Sequence, residues 1–439
     1  MSKIVLPARE VPVIAEADVV IAGAGSAGVA AAVAAAQQGA SCVLVEKSNC
    51  AGGMLTNGLL PSIIYMSDGR NLLSGGLCYE LVKRVAVEMG VKPDIYWHNI
   101  NPEAVKLVLD EMLCENNVRF FYNTCFFDVL RNGSRIEGIA VSSPAGMGVV
   151  KGKIFVDATG DGNLSALAGV PCEIGDESGE VMAPTLCSLW SGVDYTQTDL
   201  SSGLGRREWH RAEEENTIPL PEHHFVGFFR CGNGLGCGNL GHEYGCRPLD
   251  MDSYTQACVH GRKQIRTYLE FFRKNVPGFA HAELALTAPM LGVRESRRVR
   301  GDYMLTGEDY FSKRHFADDI GCFAYPVDIH ASSTKAEEQA EVEKTVTATQ
   351  YGKGENYGIP YRVLLAAETE NLLLAGRCIS ADRTMQSSIR VVPGCMITGE
   401  AAGVAAASAV QKNCSLRSVD IAALQKTLSQ RGIYLPDKK

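Results

Sequence analysis

The chain has no long apolar run. Nothing approaches the roughly 18 residues a membrane-spanning helix needs, and the longest weakly polar stretch, Ala27 to Ala36, is far shorter. Met1 to Glu10 lacks the apolar centre of a secretory signal, so a cytoplasmic location and no membrane partner are expected. Excess positive charge is also missing. With 42 Lys and Arg against 50 Asp and Glu, the net charge is −8, which argues against a nucleic-acid or anionic-membrane partner. Repeats, low-complexity tracts and blocks of like charge are absent. Cysteine is plentiful at 15 residues, yet no C-x-x-C pair occurs. That fits reduced thiols better than a disulfide framework. Cys231, Cys237 and Cys246 form a loose cluster whose spacing suits neither a zinc ribbon nor an iron–sulfur centre, so no metal is expected.

What is present reads as a globular protein, 46% apolar and 21% charged, and 439 residues suffice for two or three domains. The most informative segment is Val19-Val20-Ile21-Ala22, then Gly23, Gly25 and Gly28, then an alanine-rich run to Gly39 and Val43-Leu44-Val45-Glu46. This is a strand, a tight turn, a helix and a second strand closing on an acid. Gly23 lets the chain turn sharply. Gly25 lets backbone N–H groups approach a pyrophosphate, Gly28 lets the helix pack closely, and Ser26 and Ala27 open that helix. The positive end of the helix dipole then faces phosphate. Glu46, 18 residues past Gly28, stands where a carboxylate can accept from a ribose hydroxyl. A dinucleotide site is predicted. Gly236, Gly238 and Gly241 repeat the glycine spacing, but no alanine-rich helix follows and Pro248 breaks the segment. A flexible loop near a substrate mouth is predicted there, and no nicotinamide domain.

Elsewhere a helix is predicted over 100–113, where Pro102 suits a helix start. Strands are predicted over 118–130, 135–142 and 149–157, with Asn132-Gly133 as a hairpin turn. The middle, 171–360, is mixed, with helical character over 253–275 and strand-like stretches at 290–305 and 322–330. After Pro360 the chain again becomes apolar and glycine-punctuated. The expected fold class is α/β. Residues 1–170 and 361–439 would form a discontinuous Rossmann-like domain, a parallel sheet with a β-meander, and 171–360 an inserted mixed α+β substrate domain.

Four further segments follow in order. Lys47 precedes Ala51-Gly52-Gly53-Met54, whose glycine pair can lie flat against a cofactor. The strand Ile154 to Asp157 runs into Ala158-Thr159-Gly160-Asp161-Gly162. Leu372-Leu373-Leu374-Ala375 runs into Gly376-Arg377. Ser388-Ile389-Arg390-Val391-Val392-Pro393-Gly394-Cys395 opens a small-residue helix over about 396–410. In this order the motifs resemble the FAD-dependent oxidoreductases of the glutathione-reductase-like fold, in the branch with a single dinucleotide site. More narrowly the chain resembles the bacterial FAD-dependent oxidoreductases bearing GVRESRR, YPVDIH, LLLAGRCIS and SIRVVPGCMITGEAAG. The resemblance runs from about residue 15 to 410. It implies tightly bound FAD between two domains, with Phe127 and Ile389 added to the cofactor-contacting glycine, acid and turn residues above. No His stands between Gly52 and Asn57, so the FAD is expected to be non-covalent.

The chemistry-bearing residues lie in the middle and near the last motif. Segment 293–301 carries four arginines in seven residues; as a strand it would point Arg294, Ser296, Arg298 and Arg300 one way. Guanidinium suits an anionic substrate, and the GVRE resemblance favours Arg294. Asp328 and His330, two apart in the same segment, suit a general-base pair, with Tyr325 a weaker proton donor. Arg390 precedes the helix that would face the flavin and is preferred over Arg377, to which a structural or pyrophosphate role falls. His98, His223 and His224 are expected in loops or at the surface. Cys395 at a helix start is expected to have a lowered thiol pKa. The expected function is hydride transfer between a small, anionic organic substrate and flavin N5. An NAD(P)H-driven flavin monooxygenase or reductase, an electron-transfer subunit and a non-enzymatic FAD or NAD sensor are the alternatives. A homo-oligomer is compatible with the sequence.

Overall fold

The computed structural model describes residue 4 and residues 7–199, 203–218, 220, 222 and 224–436. His223 lies outside the described residues. The largest sheet runs in the order Arg119–Phe121, Cys42–Val45, Val13–Ala22, Gly146–Asp157, Arg135–Ser143, Cys125–Asn132. Its centre is parallel, and Val19–Ala22 and Cys42–Val45 are buried without alternation, as strands covered on both faces are. Gly146–Asp157 is shared by two patterns. Its first half pairs antiparallel with Arg135–Ser143, which starts the meander, and its last residues pair in parallel with Leu372–Leu374 from the far end of the chain. In the meander Asn132 pairs with Arg135, so the turn is Gly133-Ser134, one residue later than expected.

Helix Ser26–Gln37 lies against helix Val392–Lys412 at a distance only small residues permit. A Cβ added to Gly399 would sit 2.1 Å from the Ala27 carbonyl oxygen, and one on Gly403 2.2 Å from that of Ala31. That contact accounts for the glycine and alanine stripe of the later helix. No single described helix is long and apolar enough to cross a membrane. Arg383–Ile389 and Val392–Lys412 qualify only together, and they are bent by 92° and largely buried.

The middle region contributes a four-stranded sheet in the order Gly227–Gly232, Leu235–Asn239, Ser188–Ser191, Glu283–Thr287. Helix Met251–Asn275 and an aromatic cluster that includes Trp190, Trp209, Tyr268 and Phe272 belong with it. The glycine-rich stretch expected to be a flexible loop is a hairpin of this sheet. A Cβ on Gly236 would come within 2.1 Å of the Phe228 ring, so glycine there serves packing. The stretch 290–305 is strand only at Arg297–Val299, paired with Cys172–Ile174. The stretch 322–330 also departs from expectation: the strand is Asp319–Phe323, and the residues after it are irregular. Val299, Tyr310, Phe323 and Tyr357 join the apolar core of the large sheet, whereas the aromatic core spans only 190–282.

Candidate functional site

Gly23 has φ 92°, a left-handed conformation suited to glycine, and a Cβ there would meet the Ala158 oxygen at 2.8 Å. Helix Ser26–Gln37 starts at Gly25 with no side-chain cap, so its first-turn N–H groups need partners from outside the helix. A Cβ on Gly25 would find only the Ala158 oxygen, 4.0 Å away, so the space above this helix start is open. Gly52 bridges to Gly25, and Gly53 lies against the Gly25 Cα. Met54 continues the same short turn, half-buried.

Fully buried Asp157 fixes the next turn by accepting from the backbone N–H and hydroxyl of both Thr159 and Ser165. Within that turn Asp161 pairs with Arg377 at 2.8 Å and accepts from Ser296 at 2.7 Å. Burial works to raise its pKa, but Arg377 and Ser296 together hold it below the usual carboxylate value. Gly160, with φ 76°, lies under the Arg377 guanidinium. Beside these turns opens a cleft of about 400 Å³ lined by Gly23, Glu46, Lys47, Phe126, Thr159 and Arg297. One Glu46 oxygen accepts from Ala24 N at 2.7 Å, and the other from Ser48 N and Oγ at 2.8 Å. Phe127 is 44% exposed and is not on the cleft, which Thr124, Cys125 and Phe126 line; the strand register shifts at Phe127.

A second uncapped helix start is brought to the first. Gly376 donates its N–H to Thr398 Oγ1 of helix Val392–Lys412 and packs on Ala27. Open space at Gly25, two uncapped helix starts and an acid at the cleft edge fit the pyrophosphate and ribose of FAD. Just before the second helix, Ile389 is buried and Arg390 reaches back to Asp328. Cys395 is buried there with its thiol against the Arg390 carbonyl. Burial pushes its pKa up to about 12, the reverse of the lowering expected at a helix start.

From Arg390 a row of buried and half-buried polar groups leads into the middle region. Arg390 Nη2 donates to Asp328 Oδ2 at 3.1 Å, and Tyr325 OH donates to the same oxygen. Asp328 Oδ1 lies 3.3 Å from His330 Nε2. His330 Nδ1 lies 2.9 Å from His242 Nε2, and His242 Nδ1 lies 2.9 Å from Glu222 Oε2. Glu222 Oε1 accepts from Tyr244 OH and from the His224 backbone. The His224 ring stacks on His330 with centroids 5.1 Å apart. Burial would raise both carboxylate pKa values, but they are held low, Asp328 by His330 and Arg390 and Glu222 by His242, Tyr244 and the His224 backbone N–H. Burial and Arg294 push His330 well below its ordinary value, and burial with His242 takes His224 down to about 4.

Arg294 stands beside this row, 8% exposed. Its Nη1 donates to the Ala183 carbonyl and to Thr185 Oγ1, both neutral, and among the described residues no carboxylate lies within ion-pair distance of it. Burial and the nearby Arg390 bring its pKa down to about 10. The other arginines of the segment are spoken for. Arg298 pairs with Glu295, Arg297 bonds to the Asp161 carbonyl and Asn163, and Arg300 is exposed. Asp328 and His330 meet across irregular backbone, not on a strand face.

Glu222, His242, His224 and Tyr244 carry no local motif, and they were not expected in a site. Only the meeting of three of the chain's nine histidines around one carboxylate pair marks them, and that meeting is made by the fold. His98 is buried on strand Trp97–Asn99 rather than in a loop. Among the described residues, His315, Asp319 and Cys322 bring ligand-type atoms within 4.8 Å of one another, but Asp319 Oδ2 already accepts from His315 and the Phe316 N–H.

The family model described as FAD dependent oxidoreductase matches residues 18–428. No curated protein sequence matches the chain. Among solved structures, a triple mutant of a flavin-dependent brominase is similar at 14% identity and TM-score 0.48, over 94% of this chain and 84% of that one. A geranylgeranyl bacteriochlorophyll reductase-like protein from Thermoplasma acidophilum is similar at 12% identity and TM-score 0.46, over 95% and 83%. The p-nitrophenol 4-monooxygenase from Pseudomonas putida DLL-E4 is similar at 11% identity and TM-score 0.45, over 95% and 87%.

Proposed function

We propose, for a chain that belongs to the FAD dependent oxidoreductase family, that it exchanges a hydride with a small anionic organic substrate held between Arg294, Arg390 and His330. The observation that carries this reading is Arg294. A buried guanidinium bonded only to neutral oxygens leaves part of its desolvation cost unmet, and an anionic ligand is the group that would offset it. Arginine also presents a planar fork that fixes a carboxylate's orientation.

Bound FAD supplies the centre that exchanges the hydride with substrate carbon. The chain's own residues do the rest. Arg294 pairs with the substrate anion. Arg390 remains tied to Asp328 and adds positive charge beside it. His330 Nε2 takes a proton from, or returns one to, the substrate heteroatom, and Asp328, 3.3 Å from Nε2, accepts a hydrogen bond from it once it is protonated. Arg294, Asp328 and His330 are buried, with Arg390 half-buried at the edge, and this limits the access of water to the exchange.

The test is an anaerobic titration of the FAD-loaded protein with a panel of small carboxylates, neutral alcohols and amines, read at the visible flavin band. Bleaching by carboxylates, with about 30- to 100-fold more needed in Arg294→Gln, is the expected result. Bleaching by neutral compounds alone, or by NADH alone, would overturn the reading.

A further inference from the structure

The row from Glu222 to Asp328 contains three contacts, at 2.9, 2.9 and 3.3 Å, between groups that each offer a lone pair. A hydrogen bond needs one hydrogen per contact. With both carboxylates ionised, the Glu222 contact takes its hydrogen from His242 Nδ1 and the Asp328 contact from His330 Nε2. The middle contact needs a third, from His242 Nε2 or His330 Nδ1. Two neutral imidazoles carry only two hydrogens. The row is therefore complete only with one proton more than two neutral rings hold.

We propose that Glu222, His242 and His330 act as one acceptor that alternates between two and three ring protons, with His242 and Glu222 as positioning residues for His330. The idea rests on the hydride-exchange reading above. In the two-proton form His242 Nδ1–H donates to Glu222, His330 Nδ1–H donates to His242 Nε2, and His330 Nε2 carries a lone pair beside Asp328 Oδ1, a contact that lacks its hydrogen until Nε2 is protonated. That lone pair takes the proton of a substrate O–H or N–H, and the bonding electrons stay on the substrate heteroatom. The His330 Nδ1 proton then crosses the 2.9 Å contact to His242 Nε2. His330 ends neutral, as its burial and the nearby Arg294 favour. The positive charge rests on His242 beside Glu222.

The charges around the row fit this cycle. Arg294, His224, His242 and Asp328 face His330, while Tyr244, Tyr268 and Glu243 face Glu222 and Arg390 and Tyr325 face Asp328. His224, held down to about 4 by burial, adds no charge near neutral pH. The two-proton row carries two negative charges, which Arg294 and Arg390 balance. A singly charged anion leaves one negative charge in excess; once its proton has gone to the row and its hydride to bound FAD, the product is still a monoanion, and the row, now one charge more positive, balances it together with the two arginines. The substrate class named here is accordingly a monoanion bearing an ionisable O–H or N–H beside the reacting carbon.

The test needs no substrate, so its failure is separate from failure of the titration above. The FAD-loaded protein is labelled with 15N-histidine, and its ring shifts are followed between pH 5 and 9. In the wild type, His242 and His330 should respond together at one midpoint. Glu222→Gln should move that midpoint down by about one pH unit, a tenfold change, and Tyr244→Phe, which takes a hydrogen bond from Glu222 and leaves its charge less compensated, should move it up by more than about twofold. Retained FAD absorbance certifies folding, and Tyr244→Phe carries the test if Glu222→Gln does not fold. Independent titration of His330, or a midpoint within twofold of wild type in the folded variants, would overturn the proposal.

Discussion

The dinucleotide cradle and the histidine row are built from different materials. The cradle is mostly backbone: Gly23, Gly25, Gly52 and Gly376 shape it, and helix starts supply its donors. The row is mostly side chain. Its members come from residues 222–244, 294 and 325–330, with Arg390 at the cradle's edge. Backbone sites depend on what a residue lacks, since a Cβ at Gly23, Gly52 or Gly376 intrudes on its neighbours and one at Gly25 would enter the open space at the helix start. Side-chain sites depend on charge and protonation and tolerate changes of bulk better. The two regions should therefore fail in different ways, and each substitution below tests that separation.

The largest effect is expected in the cradle. Gly28→Ala places a Cβ 1.8 Å from the Gly23 oxygen. It should cost about 3 kcal/mol of stability and abolish FAD retention, read by thermal melting and visible absorbance. Next comes His330→Gln, with FAD content unchanged and turnover lowered about 10²- to 10⁴-fold. Turnover kept at wild-type level would remove the base from the account. Arg294→Gln should weaken carboxylate binding by about 2–3 kcal/mol. It should change the melting temperature little, because the desolvation cost it relieves offsets the positive charge it withdraws from Asp328 and Glu222. A marked fall in melting temperature would make Arg294 structural.

His224 gives a pH signature. Its folded pKa, about 4, is depressed below the ordinary histidine value. Between about pH 6.5 and 4 the unfolded chain binds a proton that the folded chain does not, so stability falls as pH falls through that window. His224→Gln should flatten this part of the stability–pH curve by about 2 kcal/mol. An unchanged curve would mean that His224 charges freely in the folded state. Smallest is the contrast at the cleft. Phe127→Ser should shift stability and FAD affinity by less than about 0.5 kcal/mol, whereas Phe126→Ser, on the lining, should weaken FAD binding measurably.

The same difference of material explains what could be read from the sequence. Glycine positions are local signals, because a left-handed turn or a helix-to-helix approach leaves its mark at one residue. Gly23, Gly52, Gly376 and the Gly399/Gly403 stripe were legible for that reason. Local periodicity also located helix Pro102–Glu115 and the strands of the meander. Asp328 and His330 were legible as a pair, although the strand assumed for them is irregular backbone. Their partners were not. Glu222 and His242 stand about 90–110 residues from them in sequence, and no short spacing encodes a contact of that range. The glycine hairpin just before His242 misled, because its glycines make room for Phe228 and not for a mobile loop. Cys395 misled as well: its place at a helix start suggested a lowered thiol pKa, and burial reverses the effect.

The most direct measurement is the structure of the FAD-loaded protein. The account predicts the isoalloxazine ring at the start of helix Val392–Lys412, with its reactive edge open to Arg294 and His330 across a single substrate-sized space. A ring held away from that space, with the histidine row closed off behind it, would contradict the account.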